Sequence, residues 1–71
     1  MNKKELEFSV FCIENIAERL GRKGEDVYRL LTVSSNVLYD YIVPNYESLH
    51  TQGKEYIIDD IVEYLAIKGL L

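Results

Sequence analysis

Four glycines and a single proline punctuate this chain, and their positions constrain its fold more than any other feature. Gly21 and Gly24 stand close together, Pro44 falls in the middle of the chain, and Gly53 and Gly69 bracket a long stretch rich in Ile and Tyr. Between these marks, with Ser34-Ser35-Asn36 as a further break, apolar residues recur at helical spacing. The pattern predicts an all-α fold, a compact bundle of four short helices. At 71 residues the chain is too short to divide into two cores, so residues 1–71 read as one helical domain. An apolar fraction of 48% and a charged fraction of 28% suit an ordinary globular domain.

The first helix opens on Asn2, three residues before Glu5, the spacing of a reciprocal cap, and closes at Gly21. Leu6, Val10, Ile13, Ala17 and Leu20 repeat at intervals of four and three and form its expected core stripe. Phe8 and Phe11 fall about 200° and about 140° from Leu6 on the helical wheel, on the far side. The first helix is therefore either the central helix of the domain or an element shared in a homodimer, with Phe8 and Phe11 as self-association residues. A second helix is expected from Gly24 to Val33, with Glu25 and Asp26 in its first turn, where carboxylates favour the positive end of the backbone dipole. A third begins near Ser35 or Asn36, carries Leu38, Ile42, Tyr46 and Leu49, and should kink or break near Pro44, which lacks an N–H and crowds the carbonyl of Asp40. The fourth is expected to start at Asp59 or Asp60, with Glu63 in capping register, to bury Ile58, Ile61, Val62 and Leu65, and to end at Gly69.

Net charge is −4, but it is unevenly spread: residues 1–29 hold six basic and six acidic side chains, residues 30–71 two basic and six acidic. A surface that neutralises phosphates needs clustered Lys and Arg, so nucleic-acid binding is disfavoured. Only Arg19, Arg22, Lys23 and Arg29 keep it in view, as phosphate contacts of a helix-turn-helix regulator built from the second and third helices. The opening residues lack the uninterrupted apolar stretch of a secretory signal, and no run approaches the roughly 20 apolar residues that cross a bilayer. A cytoplasmic location without membrane contact is the expectation.

Little here suggests catalysis. Cys12, the only cysteine, lies between Phe11 and Ile13 and reads as a small buried hydrophobe. Ser48 and His50 are two residues apart and so face different ways on a helix. Asp59-Asp60 and Glu25-Asp26 sit where helix caps belong. One Cys, one His and scattered carboxylates lack metal-ligand spacing, and no phosphate-binding glycine pattern occurs, so neither metal nor cofactor is expected. His50, in the last turn of a helix before Gly53, can offset the negative dipole end there. Tyr39 and Tyr46, seven residues apart, nearly superimpose on one helix face, and an aromatic face with polar tips suits partner binding.

Three stretches carry a resemblance: ELEFSVFCIEN from Glu5 to Asn15, YESLHTQG from Tyr46 to Gly53, and YIIDDI from Tyr56 to Ile61. Together they resemble a family of short bacterial proteins grouped as a domain of unknown function, numbered 3791. Pro44 departs from that pattern. The resemblance implies a bacterial protein, often encoded beside a larger one that looks like an ADP-ribosyltransferase, in a pairing like that of toxin and antitoxin. It also tilts His50-Thr51-Gln52-Gly53 toward a binding surface. The expected function is thus a non-enzymatic protein-protein interaction module, antitoxin-like or accessory, whose partner surface comprises Tyr39, Tyr46, His50, Thr51 and Gln52.

Overall fold

The computed structural model describes all 71 residues, and its regular secondary structure is all helix, with no strand. Four α-helices run Lys3–Leu20 (α1), Gly24–Thr32 (α2), Tyr46–Leu49 (α3) and Lys54–Ile67 (α4), and a π-helical turn at Leu38–Ile42 makes a fifth helical element where four were expected.

The start of α1 is set by its first residues. The Glu5 backbone N–H donates to Asn2 Oδ1 at 2.8 Å and the Asn2 N–H to Glu5 Oε1 at 2.9 Å, so both free donors are satisfied reciprocally. Its end is set by Gly21, which at φ 66° adopts the left-handed conformation, while the Arg22 N–H reaches back to the Ala17 carbonyl at 2.9 Å. The same device closes α4: Gly69 has φ 75° and the Leu70 N–H donates to the Leu65 carbonyl at 2.9 Å.

α1 packs against both α2 and α4, and is the central helix. Its core face differs from the expected stripe. Phe8, Cys12 and Ile16, one turn apart, are buried, whereas Leu6 and Val10 remain 55% and 46% exposed. Only toward the C-terminal end does the expected stripe go inside, where Ala17 is buried and Ile13 and Leu20 are half-buried. α1 carries two apolar stripes, and neither spacing nor residue type ranks them. The larger area of Phe8 goes inside because α3 and α4 supply a partner surface on that side. Phe8 therefore packs into the core of its own chain, and Phe11, half-buried, packs against the same core.

The segment before Pro44 is wound more widely than an α-helix. The Val43 N–H passes over the usual acceptor and donates to the Leu38 carbonyl at 2.9 Å, the five-residue spacing of a π-turn. Pro44 has no N–H for the Asp40 carbonyl, so the helix cannot continue through it. The chain turns through Val43–Asn45 and α3 begins at Tyr46, which places the break where Pro44 predicted it, within a residue or two.

α4 begins at Lys54, five residues before the expected Asp59, with Gly53 as its extended N-terminal cap residue. Ile57, Ile58, Ile61 and Leu65 are all buried, and this apolar face overrides the modest helix propensity of Tyr and Ile. Asp59 and Asp60 are therefore interior helix residues whose side chains reach other elements, not caps. No helix is long and apolar enough to cross a membrane.

Candidate partner-binding edge

α3 is only one turn long, and its orientation is held by aromatic packing. The Tyr46 ring meets Phe8 of α1 edge-on, with centroids 5.3 Å apart at 75°, and Phe8 in turn stacks on Phe11 at 6.2 Å. His50 lies nearly parallel to Tyr46, at 4.3 Å and 10°. A line of rings thus runs from the buried core to the exposed His50.

The imidazole is fixed at a second point. Its Nδ1 is 2.7 Å from the Tyr46 carbonyl oxygen, which can only accept, so Nδ1 carries the proton in that bond. In the neutral ring Nε2 is then a lone-pair acceptor, and no hydrogen bond from the chain occupies it. The same Tyr46 carbonyl also accepts the His50 backbone N–H at 2.9 Å, so ring and backbone of His50 share one acceptor. Ser48 does not pair with His50, since its hydroxyl donates to the Asn45 carbonyl at 3.2 Å. The Thr51 hydroxyl is likewise used locally, donating to the Ser48 carbonyl at 3.1 Å.

Gln52 faces a different setting. It lines a surface depression of about 200 Å³ together with Tyr41, Asn45, Ser48, Tyr56 and Asp60. The Tyr41 hydroxyl donates to Asp60 Oδ2 at 2.6 Å, and the Tyr41 ring stacks on Tyr64 at 3.8 Å and 16°. The hydrogen bond to the carboxylate, then burial and the carboxylate's negative charge, push the Tyr41 phenol up to about 12. A second, smaller depression of about 130 Å³ lies against the same pair, lined also by Glu63, Tyr64 and Ile67. Lys68 Nζ sits 5.5 Å from the Tyr64 ring centroid, in cation–π range.

The edge therefore consists of Tyr46, His50, Thr51 and Gln52, continued by Tyr41, Tyr56 and Asp60. Tyr39 is not part of it by ring contact: the π-turn and the break at Pro44 change the helical register, and Tyr39 stands 51% exposed with no ring partner. Tyr41 and Asp60, nineteen residues apart, escaped the sequence reading because no local spacing joins them.

The other candidate groups have structural employment. Arg19 donates to Asp59 at 2.7 Å and to Glu55 at 3.2 Å, tying α1 to α4 and leaving Arg22, Lys23 and Arg29 of the basic set. Cys12 is fully buried, and burial pushes its thiol up to about 12. No three His, Cys, Asp or Glu side chains converge in a way that could hold a metal ion.

No curated protein and no solved structure matches the chain. A family model does, over residues 7–68, a span that holds nearly all of α1, the π-turn, the Tyr46–Gln52 edge and α4. The chain belongs to the family described as protein of unknown function (DUF3791).

Proposed function

We propose that this chain is a non-enzymatic protein-protein interaction module that works in the cytoplasm and docks on a partner through the Tyr46–Gln52 edge. The observation that carries the reading is the Tyr46–His50 stack. Its inner end is anchored on Phe8 and its outer end presents an exposed aromatic surface with a free acceptor at Nε2. Rigid aromatic side chains with a polar tip bury much area at low entropic cost, which is what a docking site needs. Beside the stack, Gln52, Tyr56 and Asp60 offer polar groups in a shallow depression of about 200 Å³. The absence of an oriented nucleophile and base around His50 favours binding over catalysis, since Ser48 is turned to the backbone.

The partner proposed is a protein encoded beside this one, with the chain as its antitoxin-like neutraliser or accessory subunit. The competing DNA-binding reading asks for a recognition helix after α2, a position taken by a π-turn, a proline and a single helical turn. It also loses Arg19 to Glu55 and Asp59.

The test is calorimetric titration of the purified neighbour-encoded protein with wild type, His50→Ala and Gln52→Ala. Both residues are exposed, so both variants should keep the wild-type circular dichroism spectrum. The reading expects measurable binding by wild type and at least about tenfold weaker binding by His50→Ala. Wild type that does not bind, or a folded His50→Ala variant that binds as well, removes it.

A further inference from the structure

We infer that α1 pairs with α1 of a second copy, antiparallel, through the strip formed by Leu6 and Val10. This inference is independent of the docking edge described above. Leu6 and Val10, one turn apart on the central helix, are 55% and 46% exposed although the rest of the apolar surface of α1 is covered. Met1, 56% exposed, folds back along the same helix, with its Sδ 3.7 Å from Ser9 Oγ, about 80° from the strip's centre on the flank away from Lys3 and Glu14.

The charges beside the strip identify its occupant. Lys3 and Glu14 are exposed and unpaired within the chain, and they lie about 40° and about 60° from the strip's centre on the same flank. A two-fold axis perpendicular to the paired helices returns each flank to its own side, so these two positions meet across an antiparallel pair. With that axis level with Phe8, Leu6 of one copy stands opposite Val10 of the other. Lys3 then falls within one residue's rise, about 1.5 Å, of the other copy's Glu14. The symmetry makes this ion pair twice, which is self-complementarity of the kind a closed dimer requires. Glu7, about 80° from the strip's centre, stays outside the contact.

The same wheel separates the two surfaces. Phe8, which packs on Tyr46, lies about 180° from the Leu6–Val10 centre, so a dimer formed here leaves both Tyr46–His50 edges facing outward.

Sedimentation velocity over a concentration series tests the pairing with wild type, Val10→Glu, Lys3→Glu and the Lys3→Glu/Glu14→Lys exchange. The expected result is a wild-type dimer, a folded monomer for Val10→Glu, dimerisation weakened about tenfold or more by Lys3→Glu, and recovery in the exchange variant. A wild type that stays monomeric at millimolar concentration overturns the inference. So does a dimer indifferent to Val10→Glu, or an exchange variant no better than the single reversal. Lys3 is a surface residue outside the core, so its reversal reports on pairing even if Val10→Glu perturbs folding.

Discussion

The Tyr41 hydroxyl donates to Asp60 at 2.6 Å and thereby joins the π-turn to α4 across nineteen residues of sequence. The bond lies between two surface depressions, and Tyr41 also stacks on Tyr64, so one residue positions the floor of the candidate edge. Because the proline break leaves the chain between the π-turn and α3 without helical continuity, this side-chain bond substitutes for part of the lost backbone connection.

That bond has a pH signature. The folded state holds the Tyr41 proton until about pH 12, whereas an unfolded chain releases it near the ordinary tyrosine value of about 10. The folded state therefore binds more protons in that window, and the stability contributed by Tyr41 is intact below about pH 10 and falls as pH rises to about 12. Cys12, also raised to about 12, adds a loss of the same sign that begins near the ordinary thiol range. Thermal melts between neutral pH and pH 11 should show Tyr41→Phe less stable than wild type at neutral pH, by about 0.5–1.5 kcal/mol. They should also show a shallower alkaline decline in the variant. Parallel curves for the two proteins would detach the alkaline loss from this hydrogen bond.

The two apolar stripes of α1 make opposite predictions for residues only two apart. Phe8→Ala removes a buried aromatic that touches Phe11 and Tyr46, at a cost of about 3–5 kcal/mol. A domain this small draws about 3–5 kcal/mol in total from its core, so the variant should be largely unfolded. Leu6→Ala, on the exposed stripe, should stay within about 0.5 kcal/mol of wild type in dilute solution, where association contributes little. Urea titrations followed by circular dichroism separate the two, and equal losses would mean that the structure assigns the core face wrongly.

Cys12 should behave as a hydrophobic side chain and not as a thiol. It has no exposed surface and its thiol is pushed up to about 12, so iodoacetamide at pH 8 should modify it only through transient opening of the fold. The modification rate should rise with urea in step with the unfolded population. Cys12→Ala should lower stability by leaving a small cavity, and Cys12→Ser more so, since a hydroxyl at that site would lose its hydrogen bonds to water. Rapid labelling of the native protein, at the rate of a free cysteine, would contradict its burial.

Much of the local structure follows from residues close in sequence. Asn2 with Glu5 begins α1 and Gly21 ends it, because a reciprocal cap and a left-handed glycine are complete within a few residues. Pro44 breaks the middle helix for the same kind of reason, a missing donor at a known position. His50 meets the carbonyl one turn back, as a residue in the last turn can. Tyr46 and His50 come together for the same reason, since they stand one helical turn apart at the two ends of α3.

What spacing could not decide was which of two faces turns inward and which distant side chains meet. α1 shows Leu6–Val10 and Phe8–Cys12–Ile16 as equally regular stripes, and only the arrival of α3 and α4 buries the second. Asp59 and Asp60 have the composition of a cap, but the Ile57, Ile58, Ile61 and Leu65 face extends α4 back to Lys54 and turns both carboxylates to tertiary use, on Arg19 and Tyr41. The π-turn at Leu38–Ile42 changes the register between Tyr39 and Tyr46 for a related reason, since a backbone bond that spans five residues puts one more residue into that turn. Local caps and breaks depend on the chain within one turn, so sequence alone determined them; face selection, register and long-range pairing depend on which surfaces compete for burial, and only the tertiary structure decided those.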